Sequence, residues 1–425
     1  MAKVTQKSDL LTVIQVAELL GISPDTVRRW HKKGLIHASI GQGGTRLFSE
    51  AEIRRVNSRT HGVSETWKVL TASKTKLTSL ELFCGAGGLG LGLHNAGFQN
   101  QLLVDNDKDC IATINTNGFI GSGVCESVRD LDLKQFAEKI DVMSGGFPCQ
   151  AFSFAGMKRG FEDARGTLFY DFARLIEQVQ PRMVVGENVR GLLAHDNGKT
   201  LAVMLRILEN LGYRTAYKVL KAQFFDVPQK RERLLIFALR RDESAPIVFP
   251  VEKDYTISVR AAIEDAPASP GMEYSAEKAR VMRLIPEGGY WRDLPEDEKL
   301  RFMGKSYFLG GGKTGMARRL AWDEPSLTLT CNPAQKQTER CHPLETRPLN
   351  VREYARLQCF PDNWEFSGSV SSQYRQIGNA VPVNLGYHIG LAARAILGQK
   401  ARKAELPCKL DVTESPDVDP RLPLF

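Results

Sequence analysis

The sequence lacks two features that would set its class at once: a long apolar run and a set of paired cysteines. No uninterrupted apolar stretch approaches the length that crosses a bilayer, and residues 1–9 are polar, without the apolar core of a signal peptide. None of the 8 cysteines forms a Cys-x-x-Cys pair, and Cys331, Cys341 and His342 match no zinc spacing. These absences exclude a membrane-spanning protein and a disulfide scaffold, and they predict a cytoplasmic protein without a metal site.

Positive charge is concentrated near the beginning of the sequence. The net charge is +8, and residues 1–79 contain 13 Lys and Arg against 6 Asp and Glu, a local net charge of +7. A local basic excess favours a polyanionic partner, with nucleic acid the leading candidate. A solvated lysine-rich leader would give the same count, so charge alone does not decide between the two.

Residues 12–56 have the pattern of a small helical DNA-binding module. Apolar residues at helical spacing predict a first helix that ends at Gly21, and Ser23 with Pro24 predicts the start of a second helix. Val27 and Trp30 would pack inward. Glycines at 41–44 would form the tip of a wing before residues 46–48.

This stretch resembles the helix-turn-helix of the MerR and excisionase families, through residues 17–23, 26–30 and 34–36. The resemblance implies that the second helix enters the major groove of DNA. The basic side chains expected to face DNA are Arg28, Arg29, Lys32 and, from the wing, Arg46. The alternative is a three-helix scaffold that only packs on the rest of the protein.

Beyond residue 77, apolar runs that suit buried strands alternate with helical segments. The predicted strands are residues 79–83, 102–104, 141–143, 183–185 and 234–239. This order predicts a doubly wound, Rossmann-like α/β sheet. The expected domains are 1–60 (helix-turn-helix), 61–77 (linker), 78–249 with 346–400 (catalytic), 250–345 (a loop-rich lobe) and 401–425 (a flexible tail).

A glycine-rich loop at residues 83–90 lies between a predicted strand and a predicted helix. Glycines let a backbone turn tightly and approach a ligand closely. Asp105 ends the next predicted strand, where a carboxylate can accept hydrogen bonds from ribose hydroxyls. The pattern predicts an adenosine-containing cofactor, and taken alone it also fits a nicotinamide dehydrogenase.

Cys149 lies between Pro148 and Gln150 on a loop just past a predicted strand. A cysteine held there is well placed as a nucleophile, and only its thiolate attacks. A lone cysteine is more often an inert buried thiol, but the surrounding residues favour the reactive interpretation.

Charged residues also lie at the ends of two other predicted strands. Glu187 could act as a general acid beside the nucleophile, with a helix cap or a salt bridge as the alternative. Arg231 and Arg233 alternate along an extended segment and would share one face. An ordinary solvated charge run is the alternative for this pair.

Together these segments resemble the DNA cytosine-5 methyltransferase family, and they occur in the family's order. The matching segments are residues 83–90, 148–150, 187–189, 229–233, 347–356 and 376–382. The similarity runs from about residue 79 to residue 397, most of the chain. Several motifs that follow the family's order over this length make the probability of a chance match very small.

The resemblance implies a mechanism on a cytosine extruded from duplex DNA. Cys149 would attack C6, Glu187 would contact N3, and Arg233 would hold the cytosine oxygen with Arg231 nearby. S-adenosylmethionine would then supply a methyl group to C5, and loss of the C5 proton would expel Cys149.

The resemblance also implies a cofactor pocket and a target-recognition lobe. The expected cofactor residues are Phe83, Gly85, Gly87, Asp105, Asn106, Glu126, Ser127, Pro148, Leu168 and Asn379. Ser127 and Asn106 stand where relatives often carry apolar residues. The expected contacts to DNA from the catalytic part are Gln150 with Arg318 and Arg319 of the lobe, since arginine recognises guanine.

Two other functions share parts of this pattern. An RNA cytosine methyltransferase would have the same nucleophile and cofactor loop, although a large lobe suits duplex DNA. A transcription regulator with a secondary methyltransferase body would explain the helix-turn-helix. We expect double-stranded DNA as partner, no membrane, catalysis by a monomer, and any dimer to form through the N-terminal domain.

Overall fold

The computed structural model describes most of the chain between residues 10 and 412. The described residues are 10–20, 24–32, 36–41, 44–50, 52–53, 63–64, 66–148, 168–308, 314–398 and 410–412. They divide into two compact units, one within residues 1–64 together with residues 253–256, and one made of the remainder. The expected tail, 401–425, lies almost entirely outside the described residues, and the expected inner boundaries at 78, 250 and 345 stay predictions.

The N-terminal unit combines helices with a small antiparallel sheet. The elements in its described part are β1 (Leu10–Thr12), α1 (Val13–Leu20), α2 (Pro24–Lys32), β2 (Ala38–Ile40), β3 (Arg46–Ser49) and β4 (Val63–Ser64). β3 pairs with both β1 and β2. Val16, Val27, Trp30 and Phe48 are buried in one core, as the helical spacing predicts for the first three.

A mixed sheet organises the larger unit. Its strands are β5 (Thr78–Leu82), β6 (Gln99–Asp105), β7 (Gly123–Cys125), β8 (Val142–Gly145), β9 (Met183–Val189), β10 (Tyr213–Lys221) and β12 (Glu232–Arg240). Their spatial order is β10-β12-β9-β8-β5-β6-β7. The five strands from β9 to β7 are parallel, and β12 is antiparallel to both β9 and β10. The predicted α/β fold class is confirmed.

Both faces of this sheet are covered, which explains its continuous apolar strands. Successive side chains of a strand point to opposite faces. Along β12, Leu234 and Ile236 join one hydrophobic core, while Leu235 and Phe237 join the other. A strand that is buried on both faces of a sheet needs such an uninterrupted apolar run.

Helices pack on the two faces. They are α3 (Gly88–Asn95), α4 (Lys108–Thr116), α5 (Leu168–Val179), α6 (Lys199–Asn210), α10 (Val351–Leu357), α11 (Val370–Asn379) and α12 (Val383–Ile396). α3 and α12 meet through glycines, because a Cβ at Gly92 would lie 2.6 Å from Gly386. This contact brings the late segment of the chain against the glycine-rich loop that precedes α3.

Residues 250–345, the loop-rich lobe, contain short elements only. They are α7 (Val259–Ile263), α8 (Ala276–Arg283), α9 (Glu296–Met303), β14 (Thr256–Ile257) and β15 (Ser326–Leu327). A separate core forms within the lobe around Met282, Trp291, Met316 and Cys341. β15 of the lobe pairs in parallel with β11 (Gln229–Lys230), which precedes β12 in the chain, and these two strands form a separate small sheet. Two further strands, β13 (Val248–Pro250) and β16 (Leu410–Val412), pair antiparallel.

None of the described helices combines the length and the apolar character that a membrane span requires.

Candidate active site

The carboxyl ends of the parallel strands place several predicted residues along one edge of the sheet. β5 leads into Phe83, β6 ends at Asp105, β7 leads into Glu126, β8 leads into Gly146, and β9 contains Glu187. Ligands of open α/β sheets bind at this edge. The topology therefore gathers residues that are up to 104 positions apart in the sequence.

The glycine-rich loop is fastened to Asp105. The Gly85 N–H donates to Asp105 Oδ2 at 2.8 Å, and the Asp107 N–H donates to Asp105 Oδ1 at 2.9 Å. Burial raises the pKa of Asp105, and these two backbone donors oppose the shift. Each carboxylate oxygen can accept more than one hydrogen bond, so Asp105 keeps acceptor capacity for a ligand hydroxyl.

The loop has the backbone that close approach to a ligand requires. Gly85 and Gly87 have φ of 53° and 80°, a region that favours glycine. Phe83 is also left-handed, with φ of 56°, and such a conformation in a bulky residue is strained and concentrates at functional sites. Its half-buried ring contacts Phe172 edge-on at 6.5 Å between centroids.

The other expected cofactor residues lie nearby with less buried side chains. The Glu126 N–H donates to the Asp105 carbonyl at 3.0 Å, which fixes β7 beside β6, and the Glu126 side chain is exposed. Asn106 is also exposed, Ser127 is half-buried, and Leu168 opens α5 in a half-buried position. These positions fit a pocket rim better than a pocket floor.

Asn379 reaches the same edge from the far end of the sequence. It is the last residue of α11 and is exposed. The segment that follows packs tightly on the glycine-rich loop, because a Cβ at Gly88 would lie 2.2 Å from the Val381 carbonyl oxygen. Asn379 Oδ1 accepts a hydrogen bond from the Cys331 thiol at 3.1 Å.

The expected nucleophile, Cys149, and Gln150 lie outside the described residues. The loop that leads to them is well fixed: Phe147 is buried against Phe169 and Phe172, at 4.9 and 5.7 Å between ring centroids. The Asn188 side-chain amide donates to the Phe147 carbonyl at 2.8 Å. Pro148 is exposed at the end of this loop.

Glu187 and Arg233 form an ion pair beside the same loop. Glu187 Oε1 lies 2.6 Å from Arg233 Nε, and the two side chains are 12% and 13% exposed. A Cβ at Gly146 would lie 3.1 Å from Glu187 Oε2, so the carboxylate rests against the loop backbone. β12 runs antiparallel to β9 and pairs Arg233 with Val189, which explains why two distant motifs meet here.

Arg231 makes its hydrogen bonds to a different part of the protein. It is 2% exposed, and its guanidinium donates to the carbonyls of Leu329 and Gly378 at 3.1 and 2.9 Å. Burial lowers the pKa of Arg231 to about 9, a value at which the guanidinium is still protonated near neutral pH. Arg231 interacts electrostatically with Arg233 and Glu187, but its guanidinium donates to backbone carbonyls, and its proposed role beside the cytosine stays a prediction.

The sequence did not single out two further polar side chains at this edge of the sheet. Asn188 fastens the nucleophile loop. Glu81 is a buried carboxyl in β5 whose pKa is raised well above its usual range by burial, then by Asp105 and Glu187. Glu81 interrupts an otherwise apolar run, Leu80-Glu81-Leu82, and an acid within a predicted buried strand is the signal that could have found it.

The N-terminal residues expected to contact DNA are only partly described. Arg28 is exposed on α2 and Arg46 is exposed at the start of β3. Arg29 and Lys32 lie in α2, but their side chains are outside the described part of the structure.

The two arginines expected to recognise bases in the lobe are engaged with the protein. Arg319 is 5% exposed and donates to the carbonyls of Met282, Ile285 and His342 at 2.7, 2.8 and 3.0 Å. The Arg318 side chain is 14% exposed and lies 3.4 Å from Glu324. The guanidinium of Arg319 stabilises the lobe from inside, so we leave Arg319 out of the proposed DNA surface.

Comparison with known proteins follows the same division of the chain. Residues 77–394 match the family of C-5 cytosine-specific DNA methylases, and residues 10–56 match a helix-turn-helix domain. The type II methyltransferase M.Eco47II of Escherichia coli is 48% identical over 388 residues, covering 88% of this chain and 93% of the relative. The type II methyltransferase M.PspPI of Psychrobacter is 45% identical over 390 residues, covering 89% and 94%.

A solved structure shares the fold. The structure of DNMT2 from Spodoptera frugiperda superimposes with a TM-score of 0.55 at 14% identity, covering 75% of this chain and 99% of its own. At this identity the likeness speaks for the architecture of the sheet alone.

Proposed function

The chain belongs to the family of C-5 cytosine-specific DNA methylases and is a type II DNA methyltransferase, and we propose that it uses S-adenosylmethionine to methylate C5 of a cytosine flipped out of duplex DNA. The observation that carries the proposal is the Glu187–Arg233 ion pair, which lies against the nucleophile loop on the same sheet edge as the glycine-rich loop. Flipping is required because the reacting carbons of the base are not accessible within the stacked duplex.

Each side chain has one task in this mechanism. The Cys149 thiolate adds to C6 of cytosine, while Glu187 supplies a proton or hydrogen bond at N3. Arg233 lies 2.6 Å from Glu187, close enough to hold the exocyclic oxygen of the same ring. Addition makes C5 nucleophilic; after methylation, loss of the C5 proton restores the double bond and expels the thiolate. Asn188 holds the Phe147 carbonyl, so the loop that carries Cys149 keeps its place.

The residues at the sheet edge fit an adenosine cofactor. A Cβ at Gly85 would meet no atom within 4 Å, which leaves space over the loop, and Asp105 retains acceptor capacity for ribose hydroxyls. We assign Phe83 to the adenine and Asn379 to the same pocket. S-adenosylmethionine, when bound, supplies an electrophilic methyl group for C5.

A trapping experiment tests the covalent step. With S-adenosylmethionine present, duplex DNA with 5-fluorocytosine at the target position should form a denaturation-resistant adduct. After Cys149 has added to C6 and C5 has been methylated, the fluorine cannot leave as the C5 proton does, so the thiolate is not expelled. The target is first located by bisulfite sequencing of DNA from cells that express the protein. Cys149→Ser should abolish both the adduct and methylation of ordinary duplex, and normal methylation by this variant would refute the mechanism. Methylation of tRNA in place of duplex DNA would favour an RNA methyltransferase.

We also propose that the helix-turn-helix binds an operator near the protein's own gene and thereby links methylation to repression. The net charge of +7 within residues 1–79 and the exposed Arg28 support this role. Deletion of residues 1–64, which leaves Trp67, Val69 and Leu70 packed on the core of the larger unit, should abolish promoter binding in a mobility-shift assay while methylation persists. Loss of methylation in the same deletion would instead assign the module to catalysis.

A further inference from the structure

A buried polar junction joins three segments that have different roles in the proposed function. Arg231 lies two residues before Arg233, and its guanidinium bridges the Leu329 carbonyl of the loop-rich lobe and the Gly378 carbonyl beside Asn379. Both bonds are charge-assisted and inaccessible to water, since Arg231 is 2% exposed. One side chain therefore connects the lobe, the turn that carries Asn379 and the strand that carries Arg233.

Two buried glutamines reinforce the same junction. Gln229 Oε1 accepts from the Leu329 N–H at 3.0 Å, and Gln229 Nε2 donates to Gln358 Oε1 at 3.0 Å. Gln358 Nε2 in turn donates to the Ile377 carbonyl at 2.7 Å. Gln229 and Gln358 are fully buried. A buried hydrogen-bond network of this kind holds the segments that it joins in a defined relative position.

The lobe and the Asn379 turn are also in direct contact. A Cβ at Gly378 would lie 2.2 Å from the Thr330 carbonyl oxygen, so only glycine permits the observed approach. One residue further along each segment, the Cys331 thiol donates to Asn379 Oδ1 at 3.1 Å. Although Cys331 is exposed, partial desolvation of its thiol raises its pKa, which keeps the thiol protonated as a donor.

We propose that Arg231 and Cys331 are positioning residues that couple occupancy of the cofactor pocket to the engagement of DNA by the loop-rich lobe. The proposal rests on the proposed function, because it takes Asn379 as a cofactor ligand and the lobe as a DNA-binding element. A ligand that binds Asn379 restrains the turn formed by residues 377–380. This turn contacts Thr330, Cys331 and Arg231, and through them it restrains residues 326–331 of the lobe. Such coupling is reciprocal, so DNA must tighten cofactor binding by the same factor.

The test measures this factor with the full-length protein. The affinity for a duplex carrying the target site is determined with and without saturating S-adenosylhomocysteine, an unreactive stand-in for the cofactor. We expect the wild-type protein to bind DNA about 5- to 150-fold more tightly in its presence, the usual range of coupling between two sites. Cys331→Ala, which removes the donor from an exposed side chain, should reduce the factor about fivefold, the worth of one hydrogen bond.

Cys331→Ser is the matched control, because its hydroxyl restores a donor at the same place and should restore the coupling factor. Arg231→Lys keeps the charge but loses the geometry that reaches two carbonyls at once. It should reduce the factor further in preparations whose thermal unfolding stays cooperative. A residue that only stabilised the fold would lower the melting temperature and leave the factor unchanged.

The outcomes separate this inference from the proposed function. A wild-type factor near one, or a factor equal in wild type and Cys331→Ala, would overturn the coupling while methylation remained intact. Failure of the wild-type protein to methylate duplex DNA or to bind S-adenosylhomocysteine would overturn both. A factor that is lost in Cys331→Ala and regained in Cys331→Ser supports the coupling.

Discussion

The carboxyl edge of the main sheet and the loop-rich lobe use their charged side chains in opposite ways. At the sheet edge, Asp105 and Glu187 project from strand ends toward the loops where ligands bind. In the lobe, Arg319 turns inward and satisfies backbone carbonyls of the lobe itself. The difference follows from backbone regularity: strands satisfy their own polar groups, whereas irregular segments need side chains to do so.

The role of a charged side chain depends on whether the backbone carbonyls around it already have hydrogen-bond donors. In a lobe of short elements, carbonyls that no regular ladder pairs need other donors, and a guanidinium with five donors can supply several of them, as Arg319 does. A charged residue at a strand end meets no such demand, because the ladder is already paired. Function is therefore easier to infer for Glu187 than for Arg319.

The largest effect is expected from Glu187→Gln at the sheet edge. Glutamine keeps the shape and can still meet Arg233, but it cannot supply a proton to the cytosine ring. The rate of methyl transfer should fall about 10²- to 10⁴-fold, the usual contribution of a general acid. Single-turnover methylation at saturating DNA measures this loss.

The control for that experiment is Glu232→Gln in the next strand. It breaks the exposed ion pair between Glu232 Oε2 and Arg190 Nη1 at 2.7 Å, and exposed pairs contribute little. We expect its methylation rate to stay near the wild-type value. Equal losses in the two variants would remove Glu187 from the chemistry.

A loss of stability, rather than of catalysis, is expected from Arg319→Ala in the lobe. Removal of the guanidinium leaves several buried carbonyls without donors and should lower the free energy of unfolding by about 3 kcal/mol. Chemical denaturation measures the change. A well-folded Arg319→Ala protein with an altered target sequence would show that Arg319 contacts bases after all.

Lys336→Met is the matched variant for the lobe surface. Lys336 is exposed, and its ammonium lies 4.9 Å from the centroid of the Phe302 ring. If the exposed cations of the lobe face DNA, this change should weaken DNA binding and reduce its dependence on salt, with stability within about 1 kcal/mol of wild type. Arg319→Ala and Lys336→Met together compare a buried cation, whose loss should reduce stability, with an exposed cation, whose loss should reduce DNA binding.

The sheet could be predicted from the sequence where the pattern was strong. The apolar runs at 183–185 and 234–239 lie within β9 and β12, and the helical spacing from Leu168 to Val179 matches α5. β10 was not predicted, because an antiparallel strand at the sheet's edge carries polar residues such as Arg214 and Lys218 among its apolar ones. β7 is too short for any period to appear.

The sequence predicted the motifs of the candidate site, but not the directions in which their side chains point. The strand ends identified Asp105, Glu187 and Arg233, and the roles of all three stay predictions until they are tested. Alternation along one strand placed Arg231 and Arg233 on a shared face, but the segment turns between β11 and β12, and Arg231 lies buried in another network. The spacing of residues along one strand does not show which distant backbone groups a side chain will bind. For the same reason the sequence did not predict that Asn188 would bind the Phe147 carbonyl.

The smallest effect is expected from Glu81→Gln, and it depends on pH. Burial raises the pKa of Glu81 in the folded protein, so the folded state binds its proton more tightly than the unfolded chain does. The stability that this proton contributes is present at acidic pH and is lost as pH rises through the folded-state pKa. Glutamine does not titrate. The melting temperature of the variant should therefore equal that of wild type at acidic pH and exceed it increasingly at higher pH.

Glu177→Gln provides the control, because it removes the same charge from an exposed position on α5. It reports how loss of one negative charge at the protein surface affects the melting temperature across the same pH series, and the effect of Glu81→Gln is measured relative to it. A Glu81→Gln difference that does not change with pH would mean that Glu81 binds its proton equally tightly in the folded and unfolded states. Burial at the carboxyl edge would then not govern the protonation of this carboxyl, and the prediction would be overturned.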